Sequence, residues 1–351
     1  MTKLWAMLIV VFLCGCRPVS QPVYSFAFSL EVYNPLSISR HNVLIRVSPH
    51  DMGEMYPGFE KLNATGVRVV DREAEIASEY ANGNFFVTLD SMRAKEKRTL
   101  TVYYHTGELA VSNYTKRTQS RLLKQGPALE SDRVGYRITD QGDVGVLGKK
   151  TKDMVLMGMD NDQPDPNTVR VLDNGKSFGL FGVASTDSTE VSMMDGLLCS
   201  WMASNSKSVT YAYSINADSR WAECEMFFRE GNSRLATSIL KNPAARFFTS
   251  PGTDSSYAYI AAYGRQSLIN DNLGLAIAFD PKLLINSRED AYNYIVELRE
   301  HPGLDFVSWH FAAAWEQEPN GIKTEAEFIK YLDNSARELA NPVRYSIKAP
   351  K

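Results

Sequence analysis

The segment 308–318, SWHFAAAWEQE, concentrates side chains that could transfer protons. His310 can accept or donate a proton near neutral pH, and Glu316 offers the carboxylate of a general acid or base. Residues an even number apart share one side of a strand, so His310 and Glu316 would share a face, about 20 Å apart. We predict that both residues act in proton transfer along one groove.

Two tryptophans in the same segment suggest a binding surface. Trp309 and Trp315 also lie an even number of positions apart, so a regular strand places both indole rings on one face. Indole combines a broad apolar face with a polar edge, which suits stacking on sugar rings, and we predict that Trp315 binds substrate. The alternative is that both tryptophans are core residues and that the acids form a solvated strand end before Pro319.

A second candidate set could recognise a carboxylated substrate. Tyr136 and Arg137 lie in a predicted strand, with Lys149 and Lys150 in a turn nearby. An arginine fork binds both oxygens of a carboxylate, and a tyrosine can move a proton. We predict that Tyr136 is catalytic and that Arg137, Lys149 and Arg40 bind substrate; for the two lysines, a solvated basic turn is the alternative.

The sequence gives little support for a metal or a cofactor. Asp160–Asp165 offers oxygen ligands spaced as in some calcium loops, but it lacks the glycine and the distal glutamate of an EF-hand. We expect a solvated loop there, no bound metal and no cofactor. The chain also contains neither a GxSxG elbow nor an HExxH motif.

Composition indicates a globular protein whose overall charge does not attract polyanions, so a polyanionic substrate would need a local basic cluster. The 351 residues carry a formal net charge of -3, with 44% hydrophobic and 23% charged residues. That balance excludes a disordered chain and gives no electrostatic basis for binding nucleic acid.

The first sixteen residues read as a lipoprotein signal peptide. Lys3 precedes a short apolar run, and Leu13-Cys14-Gly15-Cys16 matches a lipobox, which predicts cleavage before Cys16 and lipidation of Cys16. Arg17 rather than aspartate follows, as in lipoproteins of the Gram-negative outer membrane. We therefore expect an outer-membrane lipoprotein that faces the periplasm or the cell surface; an ordinary signal peptide cut nearby is the alternative.

Two cysteines remain after that cleavage. Cys199 and Cys224 lie in strand-like segments, and an oxidising compartment favours pairing. We predict a disulfide between them that contributes about 3–4 kcal/mol. Two buried free thiols are the alternative.

Alternation of apolar and polar residues predicts an all-β fold, a large antiparallel β-sandwich with a few peripheral helices. We expect one domain over 17–351, with an N-terminal strand module over 23–111 and a connecting segment over 112–125. The predicted strands are 25–34, 42–48, 83–91, 97–105, 133–139, 179–185, 208–216, 221–230, 257–264 and 274–280.

Two late segments are predicted to be helical. The first begins at Ser287, with acidic residues in its first turn, and ends near Gly303. The second begins with a capping box at Thr324–Glu327 and ends before Pro342. Its apolar face consists of Phe328, Leu332, Ala336 and Leu339.

Several short motifs carry a resemblance to a known family. They are 126–137 with 148–151 and 154–156, Asn34-Pro35-Leu36 with Arg40, 175–179, 314–316 and 321–324. Together they resemble a family of bacterial lipoproteins described only as a domain of unknown function. Its members tend to be encoded beside genes for the breakdown of pectins and other uronate glycans.

The resemblance implies a supersandwich fold like that of galactose mutarotase and an enzyme, a lyase, epimerase or hydrolase, that acts on a uronate-containing glycan. The family has no assigned active site to transfer. One alternative is a non-catalytic glycan-binding lipoprotein of a polysaccharide-utilisation system, and another is a structural envelope protein. A binding protein would use the aromatic rings of Trp201, Trp221, Trp309 and Trp315.

Replacing Cys16 with serine should abolish lipidation, because serine cannot form the thioether that carries the lipid. Metabolic labelling with a radioactive fatty acid should mark the wild-type chain and leave the Cys16→Ser variant as unlabelled precursor. Undiminished labelling of the variant would show that Cys16 is not the modified residue.

Overall fold

The computed structural model describes residues 26–48, 50–52, 56, 67–81, 83–104, 114–124, 126–139, 143–158, 168–172, 178–181, 190–207, 209–229 and 234–348. The predicted signal peptide with Cys16 and the acidic loop 160–165 lie outside these ranges.

Strands account for most of the regular structure. The first eleven are β1 (Phe26–Tyr33), β2 (Arg40–Val47), β3 (Val67–Asp71), β4 (Ala74–Ile76), β5 (Ser78–Ala81), β6 (Asn84–Met92), β7 (Lys97–Tyr104), β8 (Thr118–Leu123), β9 (Gly126–Ser131), β10 (Val134–Ile138) and β11 (Val144–Lys149).

The remaining strands and one long helix follow in the second half. They are β12 (Thr168–Leu172), β13 (Phe178–Phe181), β14 (Glu190–Met194), β15 (Cys199–Asn205), β16 (Val209–Asn216), β17 (Trp221–Phe228), β18 (Arg234–Leu240), β19 (Ala245–Ser250), β20 (Ala258–Gly264), β21 (Leu273–Phe279), β22 (Leu284–Glu289), β23 (Asn293–Arg299), β24 (Phe306–Trp315), α1 (Glu325–Ala340) and β25 (Arg344–Lys348).

Within the described residues these strands form four antiparallel sheets. A five-stranded sheet has the order β25-β1-β7-β3-β4 and a three-stranded sheet the order β2-β6-β5. A nine-stranded sheet runs β22-β23-β18-β13-β11-β10-β9-β8, with β12 beside β11, and an eight-stranded sheet runs β14-β15-β16-β17-β24-β21-β20-β19. The predicted all-β sandwich is confirmed.

The main core lies between the nine-stranded and eight-stranded sheets. Along β24 every second residue faces it, so Trp309, Phe311 and Trp315 are buried there together. Tyr136 from β10 meets the ring of Phe311 edge-on, with centroids 4.8 Å apart. Each buried aromatic side chain contributes about 1.5–3 kcal/mol through the apolar area removed from water.

The five- and three-stranded sheets enclose a second core. They contact the eight-stranded sheet at the turn before β15, where the Glu79 carboxylate accepts hydrogen bonds from the backbone N–H groups of Leu197 and Leu198 at 2.8 and 2.9 Å. Phe86 and Cys199 are buried in an apolar cluster at the same junction. This junction sets β2 beside the outer face of the eight-stranded sheet, the face that points away from the main core.

Helix α1 covers another part of that outer face. Its predicted capping box is present, because the Thr324 hydroxyl accepts from the Glu327 N–H and the Glu327 carboxylate accepts from the Thr324 N–H. Its apolar stripe packs on the small residues Ala276 and Ala312 of β21 and β24. The helix predicted near the C-terminus is confirmed.

The helix predicted from Ser287 to Gly303 is wrong, because this segment forms the antiparallel hairpin of β22 and β23. The Asp290 carboxylate accepts from the N–H groups of Tyr292 and Asn293, both at 2.7 Å, and so closes a turn. The acidic residue that suggested a helix start therefore stabilises a hairpin, and β-branched residues after it favour a strand.

The predicted disulfide is also wrong, since Cys199 and Cys224 are both free and buried. They lie on β15 and β17, with β16 between them. Two strand spacings separate their backbones by about 10 Å, beyond the Cα separation of about 7 Å that a disulfide can span. Cys224 belongs to the main core and Cys199 to the junction, and burial raises the pKa of the Cys199 thiol to about 12.

Among the described residues, no helix combines the length and the apolar character needed to cross a bilayer.

Replacing Gly274 with alanine should separate α1 from the sheet, because an added Cβ would lie 2.5–2.7 Å from ring atoms of Phe328. Overpacking of this kind costs about 1–3 kcal/mol, which urea denaturation should detect. Adding Phe328→Leu to Gly274→Ala should recover part of the loss, since it removes the clashing ring. A Gly274→Ala variant as stable as wild type would contradict this packing.

Candidate functional site

A cleft of about 470 Å³ opens on the outer face of the eight-stranded sheet. Its walls come from 39–44 at the start of β2, from 216–223 around the β16–β17 turn, and from the last turns of α1. Three separate parts of the fold therefore meet around it.

Glu223 and His310 on the floor of the cleft belong to a longer row of directly opposed residues on neighbouring strands. Trp201 pairs with Ser214, Ser214 with Glu223, and Glu223 with His310. Because opposed residues share a face of the sheet, these four side chains point outward together. Their chain neighbours, such as Ala222 and Phe311, face the main core.

Glu223 and His310 form the most reactive pair in this row. His310 Nε2 lies 4.0 Å from Glu223 Oε1, too far for a direct hydrogen bond but close enough for one oxygen atom at about 2.8 Å from both. The His310 side chain is 11% exposed and that of Glu223 39%. Burial lowers the pKa of His310, and Glu223 only partly opposes the shift, so the imidazole is neutral at neutral pH.

A second carboxyl group lies one step further along β17. Glu225 is opposed to Ser308 of β24 and points to the same side as Glu223. Burial raises the pKa of Glu225, the neighbouring Glu223 charge raises it further, and Arg46 of β2 opposes both effects. The floor thus holds a neutral imidazole and a carboxylate, and a second carboxyl group in different electrostatic surroundings follows on the same sheet face just beyond the cleft.

Three buried donors around the cleft have no protein partner. Among the described side chains, Arg133 Nε, Trp221 Nε1 and His310 Nδ1 are buried nitrogens without a hydrogen bond, and all three residues line the cleft. Buried polar groups in native proteins are normally satisfied. Their grouping here indicates a site made to hold a polar ligand.

Ion pairs fix the wall beside these donors. Arg220 Nε donates to Glu318 at 2.5 Å, and the guanidinium lies over the Tyr331 ring at 5.2 Å. Burial alone would lower the pKa of Arg220, but the attraction to Glu318 raises it. Arg133 donates to Asp218 at 3.3 Å, so both guanidinium groups are held in place.

Arg40 lines the cleft, but its donors are largely engaged by the protein. Its Nε donates to Asn34 at 3.0 Å, and Nη2 donates to the carbonyl of Asn341 just after α1. Burial lowers the pKa of Arg40, and Glu338 opposes the shift. Arg40 thus ties β2 to the end of α1 and shapes the cleft wall.

Three residues predicted to contact substrate are fully buried elsewhere, so those predictions are wrong. Tyr136 accepts from the Ala313 N–H at 2.7 Å and donates to the Arg220 carbonyl at 2.6 Å. Lys149 donates to Glu130 at 2.7 Å and to the Ser131 carbonyl at 2.6 Å. Trp315 donates to the Asp271 carboxylate at 2.9–3.0 Å. All three stabilise the sandwich interior.

Arg137 and Glu316 also lie away from the cleft. Arg137 is 7% exposed, and strand alternation turns it to the face of β10 opposite the core-facing Tyr136. Glu316 follows the end of β24 and accepts a hydrogen bond from Asn272 at 2.7 Å. Of the proton-transfer pair expected from 308–318, the structure brings only His310 to the cleft.

Glu223 and Glu225 were not predicted as site residues, although the sequence carries a signal for them. In 221–228, WAECEMFF, the core-facing Ala222, Cys224 and Met226 alternate with a tryptophan and two glutamates. That pattern places both carboxyl groups on the outer face of the eight-stranded sheet. Their proximity to His310 depends on the pairing of β17 with β24, which no local pattern indicates.

No group of three or more histidine, cysteine, aspartate or glutamate side chains suited to a metal ion occurs in the part of the chain that the structure describes.

A match between the sequence and a protein-family model identifies the family of this chain. The model described as "Domain of unknown function (DUF4861)" matches residues 32–195 and 198–344. The chain belongs to this family. No curated protein matches the sequence.

Among solved structures, the chain is similar to a glycosyl hydrolase family 38 protein from Enterococcus faecalis, with 10% identity and a TM-score of 0.50. The match covers 92% of this chain and 47% of that one. An α-mannosidase from Enterococcus faecalis V583 gives 8% identity, a TM-score of 0.49, and coverage of 93% and 46%. The chain thus spans about half the length of either protein. The similarity to the glycosyl hydrolase family 38 protein, with its TM-score of 0.50, shows a shared fold.

The neutral state of His310 can be tested by NMR titration of its imidazole. We expect a midpoint below the ordinary value of 6.5, because burial disfavours the charged ring. Glu223→Gln should lower the midpoint further, since it removes the carboxylate that stabilises the imidazolium. Glu316→Gln, a matched change beyond the end of β24, should leave it unchanged. A midpoint above 6.5 in the wild-type chain would contradict the description of this pair.

Proposed function

We propose that the protein is a carbohydrate-active enzyme that acts on a uronate-containing glycan in the cleft. The observation that carries this proposal is the Glu223–His310 pair on the cleft floor, beside three buried nitrogens that lack partners. Together they combine proton-transfer groups with donors that are free for hydroxyl or carboxylate oxygens.

The fold likeness supports a sugar substrate, because the similar structure with a TM-score of 0.50 is a glycosyl hydrolase family 38 protein. A shared fold does not transfer an activity, so the reaction has to follow from the site itself. Trp221 supplies an aromatic ring that lines the cleft, and Trp201 lies on the same outer face two strands away from Glu223.

The placement of the reactive groups favours β-elimination over glycoside hydrolysis. Hydrolysis uses two carboxyl groups on either side of the scissile bond, whereas Glu223 and Glu225 lie on the same face of β17. The imidazole of His310, 4.0 Å from Glu223, lies on that face as well. Groups on one side of a ring suit removal of a carbon-bound proton and protonation of a leaving oxygen on that same side.

In this reaction neutral His310 takes the proton from the carbon next to the uronate carboxylate. The C–H electron pair forms a new carbon–carbon double bond, the bond to the glycosidic oxygen breaks, and that oxygen takes up a proton. Glu223 stabilises the imidazolium, and Glu225, whose pKa is raised by burial and by Glu223, is placed to supply a proton. Arg133 and Trp221, which line the cleft and whose Nε and Nε1 atoms have no partner, are the candidates to bind the substrate carboxylate.

Anchoring at the outer membrane through a lipidated Cys16 is part of this proposal, and the lipobox supports it. An enzyme held there would meet polymers or their fragments before import. A multiply acylated anchor is effectively permanent, because each buried methylene contributes about 0.8 kcal/mol.

Turnover should depend on Glu223 and His310. The mature chain is incubated with uronate oligosaccharides, and products are followed by mass spectrometry and by the ultraviolet absorbance of unsaturated uronates. Glu223→Gln and His310→Gln should each lower the rate by about 10²–10⁴-fold. Glu223→Gln should change the melting temperature little, because the Glu223 side chain is 39% exposed.

Glu297→Gln is the matched control, since Glu297 lies on β23 in the nine-stranded sheet and pairs with the exposed Arg288. Its turnover should equal that of wild type. Wild-type rates in either cleft variant would remove the pair from the mechanism. Binding without any turnover in the wild-type chain would identify a glycan-binding lipoprotein instead.

A further inference from the structure

The outer face of the eight-stranded sheet continues past the cleft as a strip toward the end of β17. Glu225 and Phe227 follow Glu223 at two-residue intervals, so all three side chains point to the same side. Ser308 and Phe306 of β24 lie opposite Glu225 and Phe227. Glu223 and His310 therefore lie at the boundary between the cleft and this strip.

The far end of the strip is an aromatic shelf, which consists of Phe227, Phe306 and His301. The rings of Phe227 and Phe306 stack with centroids 5.4 Å apart and planes at 29°. The His301 ring lies 4.6 Å from that of Phe306. Phe227 is 39% exposed, so the shelf presents aromatic surface to solvent.

Polar groups border the shelf on the side of the cleft. His301 Nε2 and Ser308 Oγ are joined by a hydrogen bond of 2.8 Å, and Glu225 faces Ser308 across the strands. Arg46 is near enough to Glu225 to lower the pKa of its carboxyl against the effect of burial. Apolar rings beside hydroxyl, imidazole and charged groups match a sugar, which has a C–H face and polar edges.

Distance along the strand sets the size of the ligand. Phe227 lies four positions after Glu223 on β17, which corresponds to about 13 Å in an extended strand. One sugar ring held at Glu223 and His310 does not reach the shelf, whereas a chain of linked rings does. A shelf of three rings is also much smaller than a stable protein interface.

We propose that the aromatic shelf is a second sugar-binding subsite, so that the substrate is an oligosaccharide rather than a single sugar. One ring lies in the cleft, and a ring further along the chain stacks on Phe227 and Phe306. This inference rests on the proposed function and adds a substrate length to it.

Calorimetric titration of the mature chain with glucuronic acid and with 1,4-linked oligoglucuronates of increasing length tests the subsite, because in these sugars the C5 hydrogen and O4 lie on the same side of the ring. Each protein carries Glu223→Gln so that the ligands are not consumed. We expect affinity to rise once the ligand is long enough to reach the shelf. Adding Phe227→Ala should weaken the long ligands about five- to tenfold and leave the shortest unchanged, whereas Phe227→Tyr should retain the affinity.

Tyr292→Ala is the matched control, because Tyr292 is a strongly exposed aromatic residue in the β22–β23 turn, on another sheet. It should change no affinity. Equal affinity for all lengths, or long ligands that bind Phe227→Ala as well as its parent, would overturn the subsite while the cleft proposal stands. Binding of none of these ligands to the parent would overturn the uronate assignment and the subsite together.

Discussion

The register between β17 and β24 is the constraint on which the site depends. It sets Glu223 opposite His310. The adjacent pair, Cys224 after Glu223 and Trp309 before His310, faces the main core. A slip of one residue on either strand would place a glutamate or the histidine in the core and expose apolar side chains. The packing that stabilises the sandwich therefore also holds the reactive pair in position.

Buried polar contacts from the other sheet reinforce that register. The Tyr136 hydroxyl bonds to the Ala313 N–H and to the Arg220 carbonyl, and so connects β10 with β24 and with the turn before β17. Arg220 in turn is held by Glu318. Because an unsatisfied buried group costs about 1–3 kcal/mol, any displacement of these strands would break several contacts at once. Tyr136, interpreted from sequence as catalytic, instead positions the wall of the cleft.

Local patterns predicted part of the local structure of this protein. Alternation identified ten of the 25 strands that the structure describes, the capping box identified α1, and the shared face of Trp309 and Trp315 was correct, although that face is the core. Patterns could not decide which side of a strand is buried or which strands are neighbours. Those facts depend on pairing between distant segments of the chain. For that reason the sequence indicated His310 but not its partner Glu223. For the same reason a disulfide was predicted between two cysteines that an intervening strand separates.

Strand β25 pairs with β1, so the last described element of the chain completes the sheet that begins with the first. Arg40 likewise contacts Asn341, across 301 positions of sequence. Contacts of such high sequence separation form late, because the entropy of closing the loop must be overcome first. The cleft wall between β2 and α1 therefore takes shape only after nearly the whole chain has emerged and collapsed. A partly synthesised chain that lacks α1 has no such wall, so the cleft exists only in the completed fold.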